Sequence, residues 1–90
     1  MLEATVRLTN TLGLHARAAA QLVRLANRFK SRIILTRLDS AVTANAKSIL
    51  SVLSIAASYG VELKITADGV DEQDAIDQIT KLFADKFGEE

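Results

Sequence analysis

The chain has 90 residues, 49% of them hydrophobic, and its eleven basic side chains are balanced by eleven acidic ones. That suffices for a single compact domain over residues 1–90 but not for an enclosed active-site cavity, so any chemistry must rest on a few surface residues. A zero net charge lacks the basic excess of a general nucleic-acid binder, and the absence of cysteine excludes disulfides and thiolate metal sites. The longest apolar-rich stretch, residues 49–57, is too short to span a bilayer, and Glu3 and Arg7 stand where a secretory signal needs an apolar run. A reducing cytoplasm is the expected setting.

Residues 2–8 alternate, with Leu2, Ala4, Val6 and Leu8 on one face, which predicts a half-buried strand. Asn10 to Gly13 is loop chemistry. Over residues 16–30 the period becomes helical, and Ala18, Leu22, Leu25, Ala26 and Phe29 share an arc of roughly 100°. Residues 32–38 predict a second strand, Asp39-Ser40 a turn, and residues 42–44 a short third strand. A second helix is expected over 45–59, with Val52, Ile55, Ala56 and Tyr59 inward and Gly60 closing its C-terminus. Residues 61–67 alternate again, Asp68-Gly69 is a turn, and a last helix is expected from Asp71 as N-cap. Ala75, Ile76, Ile79, Leu82, Phe83 and Phe87 form its apolar face. The order β-α-β-β-α-β-α predicts an α+β fold: a two-layer, open-faced β-sandwich with a mainly antiparallel four-stranded sheet and three helices on one face.

The one histidine, His15, stands immediately before the first helix. A helix N-terminus presents unpaired amides and partial positive charge to an anion, and imidazole offers a nucleophilic neutral form near neutrality. Arg17 adds a guanidinium that can grip phosphate oxygens, and the amides of Ala16, Arg17 and Ala18 complete an anion site. Arg17, Gln21, Arg24 and Arg28 are spaced i, i+4, i+7, i+11 and form a polar track suited to an acidic partner surface. Each element has an ordinary explanation alone, as a surface histidine or a solvated helix face. Together they point to phosphoryl chemistry on an imidazole open to solvent. Metal binding is not expected with one histidine and no cysteine, and no cofactor is implied.

Asn10-Thr11-Leu12-Gly13-Leu14-His15-Ala16-Arg17 resembles the active-site segment of the HPr family, the histidine phosphocarriers of the bacterial phosphoenolpyruvate-dependent sugar phosphotransferase system. The order of elements is similar along the whole chain. The resemblance implies that His15 carries a phosphoryl group on Nδ1, that Arg17 stabilises it, that enzyme I donates it and that enzyme IIA domains accept it. It also implies a stoichiometric monomeric carrier rather than an independent catalyst. One departure is Ala18, where the family usually has proline; alanine loosens the helix start but adds a backbone donor beside the phosphate site.

Ser48 opens the second helix and is an N-cap candidate from the residues alone. The resemblance places the family's regulatory serine there, the target of an HPr kinase/phosphorylase in some bacterial lineages, with a transcriptional regulator as a further partner. Ile49, Leu50 and Leu53 fall outside the inward arc of this helix and form a candidate docking patch. Rival readings are a regulatory or nitrogen-branch relative acting through partner binding, and a small ligand- or RNA-binding sandwich. The last lacks both a glycine-rich phosphate loop and outward aromatic pairs on the strands.

Overall fold

The computed structural model describes residues 1–89. Its elements are β1 (Leu2–Arg7), α1 (Ala16–Ala26), β2 (Arg32–Arg37), β3 (Thr43–Asn45), α2 (Ile49–Ser54), β4 (Glu62–Asp68) and α3 (Glu72–Ala84), followed by a tight turn at Lys86–Gly88. The sheet order is β1-β4-β2-β3, and every pairing is antiparallel. This is the open-faced sandwich expected from the periodicities, with the strand order now defined.

The two-residue period of the strands builds the core. Ile65 in the central strand β4 is flanked by Ala4 of β1 and Leu35 of β2, and Ala67 by Leu2 and Ile33. Leu63, Ile65, Ala67, Ile33 and Leu35 are fully buried, while Glu3, Thr5, Lys64 and Thr66 line the opposite face, partly or wholly open to water. α3 lies across β1 and β4, and α1 packs between α2 and α3, so the sheet keeps one bare polar face. Phe83 of α3 meets Phe87 edge-on at 5.0 Å between ring centroids, closing the core at the end of that helix.

Several boundaries differ from expectation for local reasons. α1 stops at Ala26 instead of running to Lys30, because the Asn27 amide donates to the carbonyls of Val23 (2.9 Å) and Lys47 (3.1 Å). The Lys47 ammonium then takes the Phe29 carbonyl at 2.7 Å. α2 is six residues long rather than spanning 45–59. Asn45 belongs to β3, opposite Ile34, and its side-chain oxygen accepts from the Lys47 amide in a turn that delays the helix. At the other end Ala56 adopts the left-handed conformation (φ 54°), so it, not Gly60, ends the helix, and Ala56 and Tyr59 are exposed rather than buried. The amide of Gly60 instead binds the Leu8 carbonyl at 2.8 Å. Phe87 is buried as expected but sits beyond α3, in the terminal turn.

Asp71 occupies the N-cap of α3 without capping it. Its carboxylate accepts from the Ser31 hydroxyl and from the amides of Lys30 (2.8 Å) and Ser31 (2.9 Å), tying α3 to the loop before β2. The Ser31 hydroxyl, and then the Lys30 amide, lower the Asp71 pKa from 3.8 to about 2. A carboxylate depressed in the folded state stabilises above its unfolded value, and this contribution fades as pH falls from 3.8 to about 2. Asp71→Asn should therefore melt below the parent protein near neutral pH, with the gap in Tm closing as the pH is lowered through that window. Thermal unfolding followed by circular dichroism at a series of pH values measures both.

Candidate functional site

The loop after β1 sets the position of His15. Asn10 is fully buried and its amide donates to the Gly13 carbonyl at 2.7 Å, while the Gly13 amide returns a bond to the Asn10 carbonyl at 3.1 Å. Gly13 has φ 66°, and a Cβ there would stand 2.7 Å from Ser58 Cα and 2.8 Å from the Ala57 carbonyl oxygen. Only glycine fits this contact. The Leu14 amide then binds the Ala57 carbonyl at 2.9 Å, joining the loop to the segment that follows α2.

His15 is the N-cap of α1, with extended backbone (φ −77°, ψ 179°) and a carbonyl that accepts from the Ala19 amide at 2.8 Å. Its ring makes no capping hydrogen bond to the helix. The amides of Ala16, Arg17 and Ala18 have no intrahelical partner, so the α1 N-terminus keeps its capacity for an anion. α1 has no acidic residue in its first turn.

A carboxylate arrives there from the far end of the sequence. Lys86 (φ 56°), Phe87 (φ 57°) and Gly88 (φ 75°) are all left-handed, and together they turn the chain back over the site. Left-handed backbone costs about 1–2 kcal/mol at each of the two residues that are not glycine. Burial of Phe87 and the bond from the Gln21 amide to the Phe87 carbonyl (3.1 Å) offset that cost. Glu89 then places Oε2 in hydrogen-bond contact with His15 Nε2 and Oε1 at 3.0 Å from the Asn10 amide nitrogen, with Arg17 Nη2 at 4.0 Å from Oε2. The Asn10 amide, then the His15 ring and Arg17, hold the Glu89 carboxyl below the usual carboxylate range against partial desolvation. An open depression of about 510 Å³ beside this cluster is lined by Leu12, Arg17, Gln21, Phe87, Gly88 and Glu89.

The His15 ring is thus less open than its sequence position suggests: its side chain is 23% exposed and its Nε2 edge is covered. Arg17 is largely open to water, with 72% of its side chain exposed. Ala16 is exposed, whereas Ala18 is fully buried at the third helical position. Arg24 is exposed on α1 and Arg28 is exposed in the turn beyond its end, so Arg28 does not continue the helical track, and Gln21 is half-buried and engaged by Phe87 rather than standing free in it. Ser48 is the N-cap of α2, its hydroxyl accepting from the Ser51 amide at 3.3 Å. Ile49, Leu50 and Leu53 are exposed, Leu50 most of all at 76%. Asn10 and Glu89 join the site although neither stands out in the sequence as a candidate. Asn10 reads as ordinary loop chemistry, and Glu89 lies 74 positions from the ring it touches. Among the described residues no group of three or more histidine, cysteine, aspartate or glutamate side chains is arranged to hold a metal ion, and no helix is long and apolar enough to cross a membrane.

A family model described as the PTS HPr component phosphorylation site matches residues 2–85. The chain belongs to the HPr family. A phosphocarrier protein HPr of Treponema pallidum is 46% identical over 90 residues, covering 100% of both chains. A phosphocarrier protein NPr of Proteus mirabilis is 40% identical over 85 residues, covering 94% of this chain and 93% of the relative. The crystal structure of HPr-C-His from Thermoanaerobacter tengcongensis superposes with a TM-score of 0.95 at 41% identity, covering 100% of this chain and 99% of the other. A second structure from that organism, described as an HPr dimer, gives a TM-score of 0.78 at 40% identity, covering 99% of this chain and 100% of the other.

The HPr fold makes Gly13 the most sensitive backbone position at the site. Gly13→Ala should destabilise the protein by about 2 kcal/mol or more in urea unfolding, since left-handed strain adds to the clash with residues 57 and 58.

Proposed function

We propose that this protein carries a phosphoryl group on His15, accepting it from enzyme I and delivering it to enzyme IIA domains during sugar uptake. The observation that supports this most is the N-cap position of His15 with its ring unbonded to the helix amides and Arg17 two residues on. In this reading Nδ1 takes the incoming phosphoryl group, which the amides of Ala16, Arg17 and Ala18 and the exposed Arg17 guanidinium hold. Phosphoryl transfer needs chiefly positioning and charge stabilisation, so a surface site completed by the partner suffices. Arg24 and Arg28 steer an acidic partner, and Ile49, Leu50 and Leu53 supply apolar contact. The protein acts as a cytoplasmic monomer in this reading, without a cofactor of its own. The sugar branch is preferred over the nitrogen branch because HPr relatives at 39–46% identity align over 99–100% of this chain, against 34–40% identity over 94–96% of it for the NPr relatives.

Incubation with enzyme I and phosphoenolpyruvate, read by intact mass, should give one acid-labile, alkali-stable phosphoryl adduct that is lost in His15→Ala. Arg17→Ala should slow uptake roughly ten- to a hundredfold. No adduct with an active enzyme I of either branch would defeat the proposal.

Ser48 is proposed as a regulatory phosphorylation site. Its hydroxyl sits at the start of α2, next in sequence to the apolar docking side chains, where a phosphate is tolerated by the fold but repels an acidic partner. Ser48→Asp should leave Tm within a few degrees of the parent and reduce the rate of phosphoryl uptake by about tenfold, as rapid-quench measurements would show.

A further inference from the structure

Glu89 is the one carboxylate at the His15 ring among the described residues, and its placement is over-determined. Three consecutive left-handed residues aim it, the buried Phe87 ring anchors the turn, Gln21 holds the Phe87 carbonyl, and the buried Asn10 amide orients Oε1. Oε2 is left to meet His15 Nε2. An ionised carboxylate only accepts hydrogen bonds, so the ring nitrogen facing it carries the proton. The lone pair is then on Nδ1, on the other side of the ring.

We propose that Glu89 is a positioning residue for His15, holding the Nε2–H tautomer so that Nδ1 is the nucleophile and balancing the ring's charge once Nδ1 is bonded to phosphorus. This deepens the phosphocarrier reading and rests on it. In the step, the Nδ1 lone pair forms the new N–P bond as the donor's P–N bond breaks, and that electron pair returns to the donor imidazole. His15 keeps its Nε2 proton throughout, so the phosphorylated ring is cationic, and Glu89 supplies the opposing charge. A carboxylate that orients and charge-compensates an imidazole through its second nitrogen is the arrangement that serves histidines in hydrolytic triads. Delivery to the acceptor reverses the same changes. Arg17, 4.0 Å from Oε2 and largely exposed, can leave Glu89 for the phosphoryl oxygens without disturbing the Asn10 and His15 contacts.

Two measurements test this on the full chain. In ¹⁵N-resolved NMR of the unphosphorylated protein near pH 7, a slowly exchanging ring N–H should be visible on Nε2 with a pyridine-type shift on Nδ1. It should vanish into solvent exchange in Glu89→Ala and in Glu89→Gln, the second of which keeps the side chain's size. In rapid-quench phosphorylation by enzyme I, both variants should be about three- to tenfold slower than the parent, consistent with loss of one charge-assisted hydrogen bond. Glu3→Gln, which removes a charge from the exposed face of β1, should match the parent. A ring proton on Nδ1, an unchanged N–H signal in the variants, or equal or faster phosphorylation without Glu89 would overturn the proposal. Faster uptake would show the carboxylate to be a competitor for the phosphoryl group. Failure of the parent protein itself to take up phosphoryl would overturn the carrier reading along with this one, whereas a normal parent with equally fast variants overturns the role of Glu89 alone.

Discussion

The start of α1 carries a residue in the capping position whose side chain does not cap. A serine or aspartate there would satisfy one of the orphan amides and stabilise the helix by about 1 kcal/mol. His15 forgoes that bond, and the amides stay available to an anion. The surrounding structure compensates: Asn10 closes the preceding loop on itself, Gly13 lets it press against Ser58, and Leu14 fastens it to the Ala57 carbonyl. An unsatisfied helix end is tolerable where the backbone leading into it is fixed by bonds of its own.

The same logic of displaced caps recurs at the other helices, with different results. Asp71 stands at the α3 N-cap yet spends its carboxylate on Lys30 and Ser31, so it acts as a strut between two distant loops. The Glu72 side chain reaches back to the Gly69 amide at 3.0 Å instead and serves the helix entrance. Ser48 does cap α2 through its own hydroxyl, which is why a modification there would meet a helix start already arranged to accept oxygen.

How much of this was legible in the sequence depended on how far apart the interacting residues lie. The alternation in β1 and β4 and the apolar stripe of α3 are local signals, and they give both strands and the start of α3 to within a residue, while the stripe carries the helix on to Phe87, past its end at Ala84. The pattern predicts a longer second helix than the structure has, because the residues from 45 to 59 contain no strong breaker to mark its ends. What shortens it is an Asn45 side chain turned onto Lys47 and a left-handed Ala56, neither of which disturbs hydrophobic periodicity. His15, Arg17 and Ser48 could be named because they are contiguous with helix starts. Glu89 could not, because its position follows from a turn, a buried phenylalanine and a buried asparagine contributed by opposite ends of the chain.

One side of the sheet is bare and polar, while the His15 ring and the exposed aliphatic side chains of α2 belong to the helical layer and its loops. In the role proposed above, a courier with a single handover point serves only one client at a time, and donor and recipient would have to queue for it. Tight embrace is therefore a handicap. With association at about 10⁶–10⁷ M⁻¹s⁻¹, a dwell of some tens of milliseconds corresponds to dissociation constants of about 10 μM. As a docking face, the exposed aliphatic side chains of α2 with exposed arginines nearby would suit encounters of that brevity. Strengthening any one of them would slow the relay as a whole.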